Sequence, residues 1–181
     1  RPGDWRLQPE LAGGHPMLRT AAHHVHLATW LTGRPAERVT AQSTNGFLPL
    51  PADGTVATAL LRGNVLCTFV ASHLTRVKVF AIHGTDGGVR LAGDRIWLRG
   101  HTEYRGEVFD YVRAGEEQVL TRADLRESLA GAMPTSELHG RFVRWIDDCD
   151  DFPCPGEQAA ADLRVLDAIA RAAASGNTET V

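Results

Sequence analysis

The sequence predicts an α+β fold, in which an open, mainly antiparallel β-sheet has helices packed on one face. Three observations support this class. A helix-length segment comes first, a run of short segments rich in Val, Thr and Ile occupies the middle of the chain, and two helix-length segments close it. No helix-length segment separates the predicted strands, so a parallel βαβ sheet is not expected.

The first predicted helix extends from about Pro16 to Leu31. Proline is favoured in the first turn of a helix, and Gly33 and Pro35 follow where the helix has to end. The stretch 13–33 also holds four of the eight histidines of the chain. This helix is therefore the first candidate for a functional site.

Seven segments are predicted to be strands, because each is short, rich in β-branched residues and separated from the next by turn residues. The Arg-Gly-Asn sequence at 62–64 predicts a hairpin between the second and third strands. The fourth to sixth strands are expected to form a meander. The predicted strands are 38–44, 55–61, 65–72, 76–83, 88–93, 95–100 and 107–113.

Two helices are predicted near the end of the chain. The first begins at the capping residue Ser136, and Gly176 ends the second. A segment between the strands and these helices, 111–120, is expected to be a connection. The apolar residues of the last helix recur at helical spacing: Leu163, Leu166, Ile169, Ala170 and Ala173.

A sheet that is covered on one face leaves its other face bare. If Val, Phe and Leu side chains lie there, the apolar patch is too large for a monomer. We therefore expect the open face to bury against a second subunit, in a homodimer, or against another domain.

The composition is that of an ordinary globular protein, with 181 residues, 43% hydrophobic and 23% charged, and it suits one domain over 1–181. The net charge of -3 argues against nucleic-acid binding. The sequence shows neither a membrane span nor a signal peptide. Cys67, Cys149 and Cys154 are expected to be reduced thiols in a cytoplasmic protein, with a Cys149–Cys154 disulfide as the less favoured alternative.

The histidines of the first helix do not form one cluster. At ~100° per residue, five polar and aromatic residues share one side of the helix, here called the front face, and His24 lies away from it. The opposite side is apolar. The front face consists of His15, Arg19, His23, His26 and Trp30. The apolar side consists of Leu18, Ala21, Ala22, Val25 and Ala28.

Three interpretations of the front face are open. It is a solvent-facing polar stripe, a metal site or a site for an organic ligand and proton transfer. A metal site on His23 and His26 lacks a third ligand on the helix, and Arg19 would repel a cation, so no metal ligands are predicted. Histidine is easily poised for proton transfer near neutral pH, and arginine binds anionic or hydroxylated groups, so the third interpretation is favoured.

The segment from Trp5 to Gln42, WRLQPELAGGHPMLRTAAHHVHLATWLTGRPAERVTAQ, resembles the start of the C-terminal domain of the Gfo/Idh/MocA oxidoreductases. Later parts of that domain are similar to three further segments of the chain. These are the paired strands in TVATALLRGNVLCTFVASH, the segment VKVFAIHGTDGGVRLAGDRIWLRG and the closing segment FVRWIDDCDDFPCPGEQAAADLRVLDAIARAAASG. The resemblance covers nearly all of the chain through the order and spacing of these segments.

The resemblance implies that a separate N-terminal Rossmann domain binds NAD(P), while a domain like this one supplies the substrate pocket and often the oligomer interface. The chain has neither a GxGxxG segment opening a βαβ unit nor a P-loop. No cofactor-binding residues are therefore predicted here, and NAD(P) has to come with a Rossmann partner. A hetero-oligomer with such a subunit is the alternative to a homodimer.

The resemblance also assigns the candidate site. His23 matches the catalytic histidine of the family, whereas Arg19 stands where the family has an aspartate, and His26 stands where it has a later aspartate. An arginine in place of an acid favours anionic substrates or intermediates. The predicted catalytic residues are His23, His26 and Arg19, and the predicted substrate-binding residues are Trp5, Arg6, His15 and Trp30.

Three functions follow as hypotheses. The first is a substrate-binding domain or subunit of such an oxidoreductase, acting on a hydroxylated, sugar- or polyol-like, or anionic small molecule. The second is a stand-alone cyclase, isomerase or lyase that uses His23 and His26 without nicotinamide. The Ala-, Arg- and Gly-rich, Lys-poor composition suggests a high-GC bacterium, whose specialised metabolism suits this second function. The third is a non-catalytic dimerisation or binding module.

Overall fold

The computed structural model forms two compact units, 1–76 with 152–181 and 77–151. It describes Trp5, Gln8, Leu11 and the residues 21–46, 52–72, 79–84, 87–93, 95–99, 102–104, 111–113, 117–121, 123–124, 135–147, 152 and 154–181. One domain over 1–181 stays a prediction.

The elements are numbered in chain order. The helices are α1 (Ala22–Thr32), α2 (Thr135–Ile146) and α3 (Gly156–Ser175). The strands are β1 (Ala36–Thr44), β2 (Gly54–Leu61), β3 (Val65–Ser72), β4 (Val79–Gly84), β5 (Gly87–Ala92), β6 (Arg95–Arg99), β7 (Thr102–Tyr104), β8 (Tyr111–Arg113), β9 (Glu117–Thr121) and β10 (Glu179–Thr180).

The first unit contains a four-stranded antiparallel sheet in the order β10-β1-β2-β3. Side chains alternate between its two faces, as the twofold period of a strand requires. The buried face packs against α1 and α3, so helices cover one side of this sheet and the predicted class is confirmed. Its buried residues are Val39, Ala41, Thr55, Ala57, Ala59, Leu61, Phe69 and Ala71.

The helices complete this core with small and branched side chains. The predicted apolar side of α1 is confirmed at Ala21, Val25 and Ala28, which are all buried. The prediction for α3 is wrong at Leu163, which is 56% exposed. The centre of the buried side of α3 lies about 140° from Leu163 on the helix surface. The buried residues are Asp162, Val165, Leu166, Ala168, Ile169 and Ala172.

The other face of the sheet carries exposed apolar side chains. Val56 and Val70 are Cα partners on β2 and β3. Leu66, four residues before Val70 on β3, lies on the same face with 72% of its surface exposed. Val and Leu are therefore present on the open face, as expected. The expected Phe is not, because Phe69 lies on the helix-covered face instead.

The hairpin predicted at 62–64 is confirmed by its backbone. β2 and β3 pair up to Leu61 and Val65, and both Gly63 and Asn64 have positive φ, 77° and 64°. The loop between the last paired residues therefore has three residues, and its two left-handed positions hold glycine and asparagine, which tolerate positive φ. Gly176, at φ 72°, likewise ends α3 as predicted.

The left-handed turn gives a test of this local structure. Asn64→Val should lower the free energy of unfolding by about 1–2 kcal/mol, because a β-branched residue is strained at positive φ. Asn64→Gly should change it by less than about 0.5 kcal/mol, because glycine adopts positive φ freely. Urea denaturation of both variants measures the difference, and equal effects would contradict the assigned turn.

The second unit contains a four-stranded antiparallel sheet in the order β4-β5-β6-β9. The predicted meander of its first three strands is confirmed by the pairing of β4 with β5 and of β5 with β6. The segment 111–120 was expected to be a connection, but it contains β8 and most of β9. β8 pairs with β7 in a separate two-stranded sheet.

The helix predicted from Ser136 is α2, which begins one residue earlier. The first predicted helix, 16–31, is helical from Ala22 to Thr32, and its predicted beginning at 16–20 lies outside the described residues. Among the helices that the structure describes, none combines the length and the hydropathy that crossing a bilayer requires.

Candidate functional site

The first unit places a histidine of α1 against a carboxylate of α3. The His26 Nδ1 atom lies 2.7 Å from Asp162 Oδ2, across 136 positions of sequence. The side chain of Asp162 is only 8% exposed, whereas that of His26 is 29% exposed. The pair therefore has one buried member, which cannot turn away, and one member that reaches solvent.

Two further side chains hold the other oxygen of the carboxylate. Thr29 Oγ1 and Gln158 Nε2 each lie 3.0 Å from Asp162 Oδ1. Thr29 is one turn beyond Val25 on α1, and Gln158 is one turn before Asp162 on α3, so both helices contribute to the cluster. We call His26, Thr29, Gln158 and Asp162 the helix-pair cluster.

The phase of α1 explains this geometry. His26 and Thr29 are three positions apart, so they lie about 60° from each other on the helix surface. Thr29 belongs to the buried side with Val25 and Ala28. His26 thus lies where the front face meets the buried side, and it turns towards α3 rather than directly outwards.

Cys154 adds a thiol beside this pair but does not complete a catalytic triad. Its Sγ atom lies 4.0 Å from His26 Nδ1, the same ring nitrogen that contacts Asp162. A triad needs one ring nitrogen for the nucleophile and the other for the carboxylate. Burial, and then the negative charge of Asp162, raise the pKa of the Cys154 thiol above its ordinary value, so the reactive thiolate is disfavoured.

The predicted site residues fall into two groups. His23, His24 and Trp30 are exposed on α1, and Trp5, outside that helix, is exposed as well. Arg19, His15 and Arg6 lie outside the described residues. The structure therefore separates His23 from the buried part of the cluster, and the roles of all seven predicted residues stay predictions.

A recess of about 460 Å³ opens beside the helix-pair cluster. Its lining includes Thr29, Gln158 and Asp162 of the cluster and the guanidinium-bearing Arg34 and Arg164. Arg34 donates a hydrogen bond to the carbonyl oxygen of Arg62, and neither arginine pairs with a carboxylate among the described residues. Two guanidinium groups beside an accessible recess suit an anionic ligand.

The described residues do not fit a nicotinamide dinucleotide. A dinucleotide site of the Rossmann type needs a parallel βαβ unit whose helix begins at the pyrophosphate, and both four-stranded sheets here are antiparallel. Within the same described part of the chain, no group of three or more His, Cys, Asp or Glu side chains is arranged to hold a metal ion.

Sequence reasoning missed three of the four residues of the helix-pair cluster. Asp162 carried a signal, since it stands in register with Val165, Leu166 and Ile169, and a carboxylate on an apolar helix face needs a buried partner. Thr29 and Gln158 carried no comparable signal. The pairing of α1 with α3 is a long-range contact that helical spacing does not predict.

A sequence model of the GFO/IDH/MocA C-terminal domain matches residues 1–90. No curated protein gives a significant match to the chain.

Several solved structures share the fold. The aldose–aldose oxidoreductase from Caulobacter crescentus, solved with glycerol, has a TM-score of 0.76 at 21% identity, over 100% of this chain and 52% of its own. The WlbA dehydrogenase from Bordetella pertussis, solved with NADH and UDP-GlcNAcA, has a TM-score of 0.63 at 21% identity, over 92% of this chain and 47% of its own. The transcriptional regulator Gal80p from Kluyveromyces lactis has a TM-score of 0.69 at 15% identity, over 99% of this chain and 48% of its own.

This chain thus spans about half the length of each of these proteins. At such identities the likeness establishes the fold, and the sequence match over 1–90 adds the family. The resemblance noted in the sequence is confirmed: the chain belongs to the GFO/IDH/MocA family, as a C-terminal domain of that oxidoreductase type.

Proposed function

We propose that this chain is the substrate-binding domain, or a separate substrate-binding subunit, of a GFO/IDH/MocA-type oxidoreductase. One observation carries the proposal: the whole chain matches only about half of an aldose–aldose oxidoreductase with the same fold. The other half of such an enzyme is proposed to supply the nicotinamide site, which the described antiparallel sheets do not form. A separate NAD(P)-binding domain or subunit is therefore part of the proposal.

The proposed substrate is a hydroxylated, sugar- or polyol-like, or anionic small molecule. Exposed His23 is in a position to exchange a proton with a hydroxyl group that is presented to α1. Trp30 and Trp5 offer exposed aromatic surface for a sugar-like ring, and Arg34 and Arg164 at the recess support an anionic group. Arg19, Arg6 and His15 are proposed to complete this site.

The proposal is tested by removing His23. With a nucleotide-binding domain supplied, His23→Ala should lower kcat/KM about 100-fold or more for the best substrate in a panel of aldoses, polyols and sugar acids, because a positioned acid–base group contributes that much. Stability should change by less than about 0.5 kcal/mol, because His23 is exposed. Steady-state kinetics with NAD and NADP measure the effect.

His24→Ala is the matched control. His24 is an exposed histidine on the same helix but lies away from the front face, so its loss should leave kcat/KM within about threefold of wild type. If His23→Ala and His24→Ala have the same kinetics, the proposed role of His23 is wrong.

A redox-independent enzyme is the second candidate. The contact of His26 with Asp162 favours it, because a carboxylate-oriented imidazole performs acid–base chemistry without nicotinamide. This function, of a cyclase, isomerase or lyase type, is distinguished by turnover that persists when NAD(P) is left out.

A non-catalytic binding module is the third candidate, and the shared fold of a transcriptional regulator supports it. In that case substitution of His23 and His26 leaves function intact.

For all three candidates we propose a homodimer through the open sheet face that carries Val56, Leu66 and Val70. We also propose a cytoplasmic location, which the free thiols of Cys67 and Cys154 support.

A further inference from the structure

The helix-pair cluster fixes the protonation geometry of one histidine. An ionised carboxylate only accepts hydrogen bonds, so the contact of 2.7 Å with Asp162 requires the proton on His26 Nδ1. In the neutral imidazole the other ring nitrogen, Nε2, then carries the free lone pair. Nε2 makes no hydrogen bond to any of the described residues.

Asp162 is itself held in place. Its Oδ1 atom accepts hydrogen bonds from Thr29 Oγ1 and Gln158 Nε2, and its Oδ2 atom is hydrogen-bonded to His26 Nδ1, so both oxygens have partners. The side chain is more than nine-tenths buried, and no lysine or arginine of the described part pairs with it. A buried carboxylate with this set of donors has one orientation available, and it imposes that orientation on His26.

We infer that Asp162 is a positioning residue, which holds His26 in the Nδ1–H tautomer and presents Nε2 as the proton-accepting atom. The inference rests on the second candidate function, the redox-independent enzyme, only in giving His26 an acid–base role. Carboxylate partners act in this way on catalytic histidines, where they set the tautomer and the orientation of the ring. Thr29 and Gln158 hydrogen-bond Asp162 and make no hydrogen bond to the imidazole ring.

The tautomer is measured directly by the ¹⁵N shifts of the histidine side chains at alkaline pH, where imidazole is neutral. Wild-type His26 should show Nδ1–H, whereas exposed His24 in the same spectrum should show the mixture of an unconstrained ring. A wild-type His26 in the Nε2–H tautomer, or in the same mixture as His24, would overturn the inference without any variant.

Two variants separate positioning from general structure. Asp162→Leu keeps a side chain that branches at Cγ but accepts no hydrogen bond, so His26 should shift to the mixture shown by His24. Thr29→Val keeps its shape and removes a hydroxyl that contacts Asp162 but not the ring, so His26 should keep Nδ1–H. An unchanged tautomer in Asp162→Leu, or an equal loss in Thr29→Val, counts against Asp162 as the positioning residue.

These spectra need neither substrate nor cofactor, so they test the inference separately from the proposed function. If His26 is held as Nδ1–H but His26→Gln turns over like wild type, the positioning stands and the acid–base role of His26 fails. If the tautomer is not held and His26→Gln loses activity, the role stands and the positioning fails.

Discussion

Replacing Ile169 by alanine is expected to lower the free energy of unfolding by about 2–5 kcal/mol. The side chain is fully buried, at 0% exposed, in the core that α3 forms with α1 and the sheet of the first unit. Truncation removes buried methyl and methylene groups and leaves a cavity that the small alanines nearby do not fill. Urea denaturation followed by circular dichroism measures the change as a lower midpoint.

Leu163→Ala is the matched control on the same helix. Leu163 is 56% exposed, so its truncation should change stability by less than about 0.5 kcal/mol. A loss at Leu163 as large as the loss at Ile169 would contradict the orientation of α3, since the sequence spacing alone assigned both residues to one apolar face.

Charging the open sheet face should dissociate the proposed homodimer. The double variant Leu66→Glu/Val70→Glu replaces two exposed apolar side chains of β3 by carboxylates. Each would have to be desolvated without a partner in the interface, and the apolar contact is lost as well. We expect the dissociation constant of the dimer to rise about 100-fold or more, as measured by sedimentation equilibrium.

The control carries the same charges elsewhere. Leu31→Glu/Leu163→Glu adds two carboxylates at exposed leucines of α1 and α3, away from the sheet face, and should leave the dimer intact. A wild-type protein that is monomeric at high concentration, or a double variant of β3 that stays dimeric, would show that this face is not the interface.

Much of the fold is predictable from the sequence because local chemistry agrees with it. The left-handed turn at Gly63 and Asn64 and the glycine stop at Gly176 are dictated by residues that tolerate positive φ. The alternation of β2 buries Ala57, Ala59 and Leu61 on one face, which the twofold period predicts. Strand β9 was missed because Glu117–Thr121 is polar at one end and follows a glycine-containing stretch typical of a loop.

The candidate site was predicted less completely, for a physical reason. Helical phase predicts His24 away from the front face, and it treats His23 and His26 as equivalent. Only the packing of α1 on α3 distinguishes them, since it leaves His23 exposed and brings His26 to Asp162. Long-range pairing of two helices depends on how both pack on the sheet, and no spacing within either helix reports it.

The central claim is that this chain is a substrate-binding domain that depends on another domain for its nicotinamide cofactor. Calorimetric titration of NADH and NADPH into the isolated chain tests it most directly. We predict no saturable binding of either nucleotide, because the described sheets are antiparallel and offer no βαβ unit for a pyrophosphate. Saturable binding with a micromolar Kd would contradict the account.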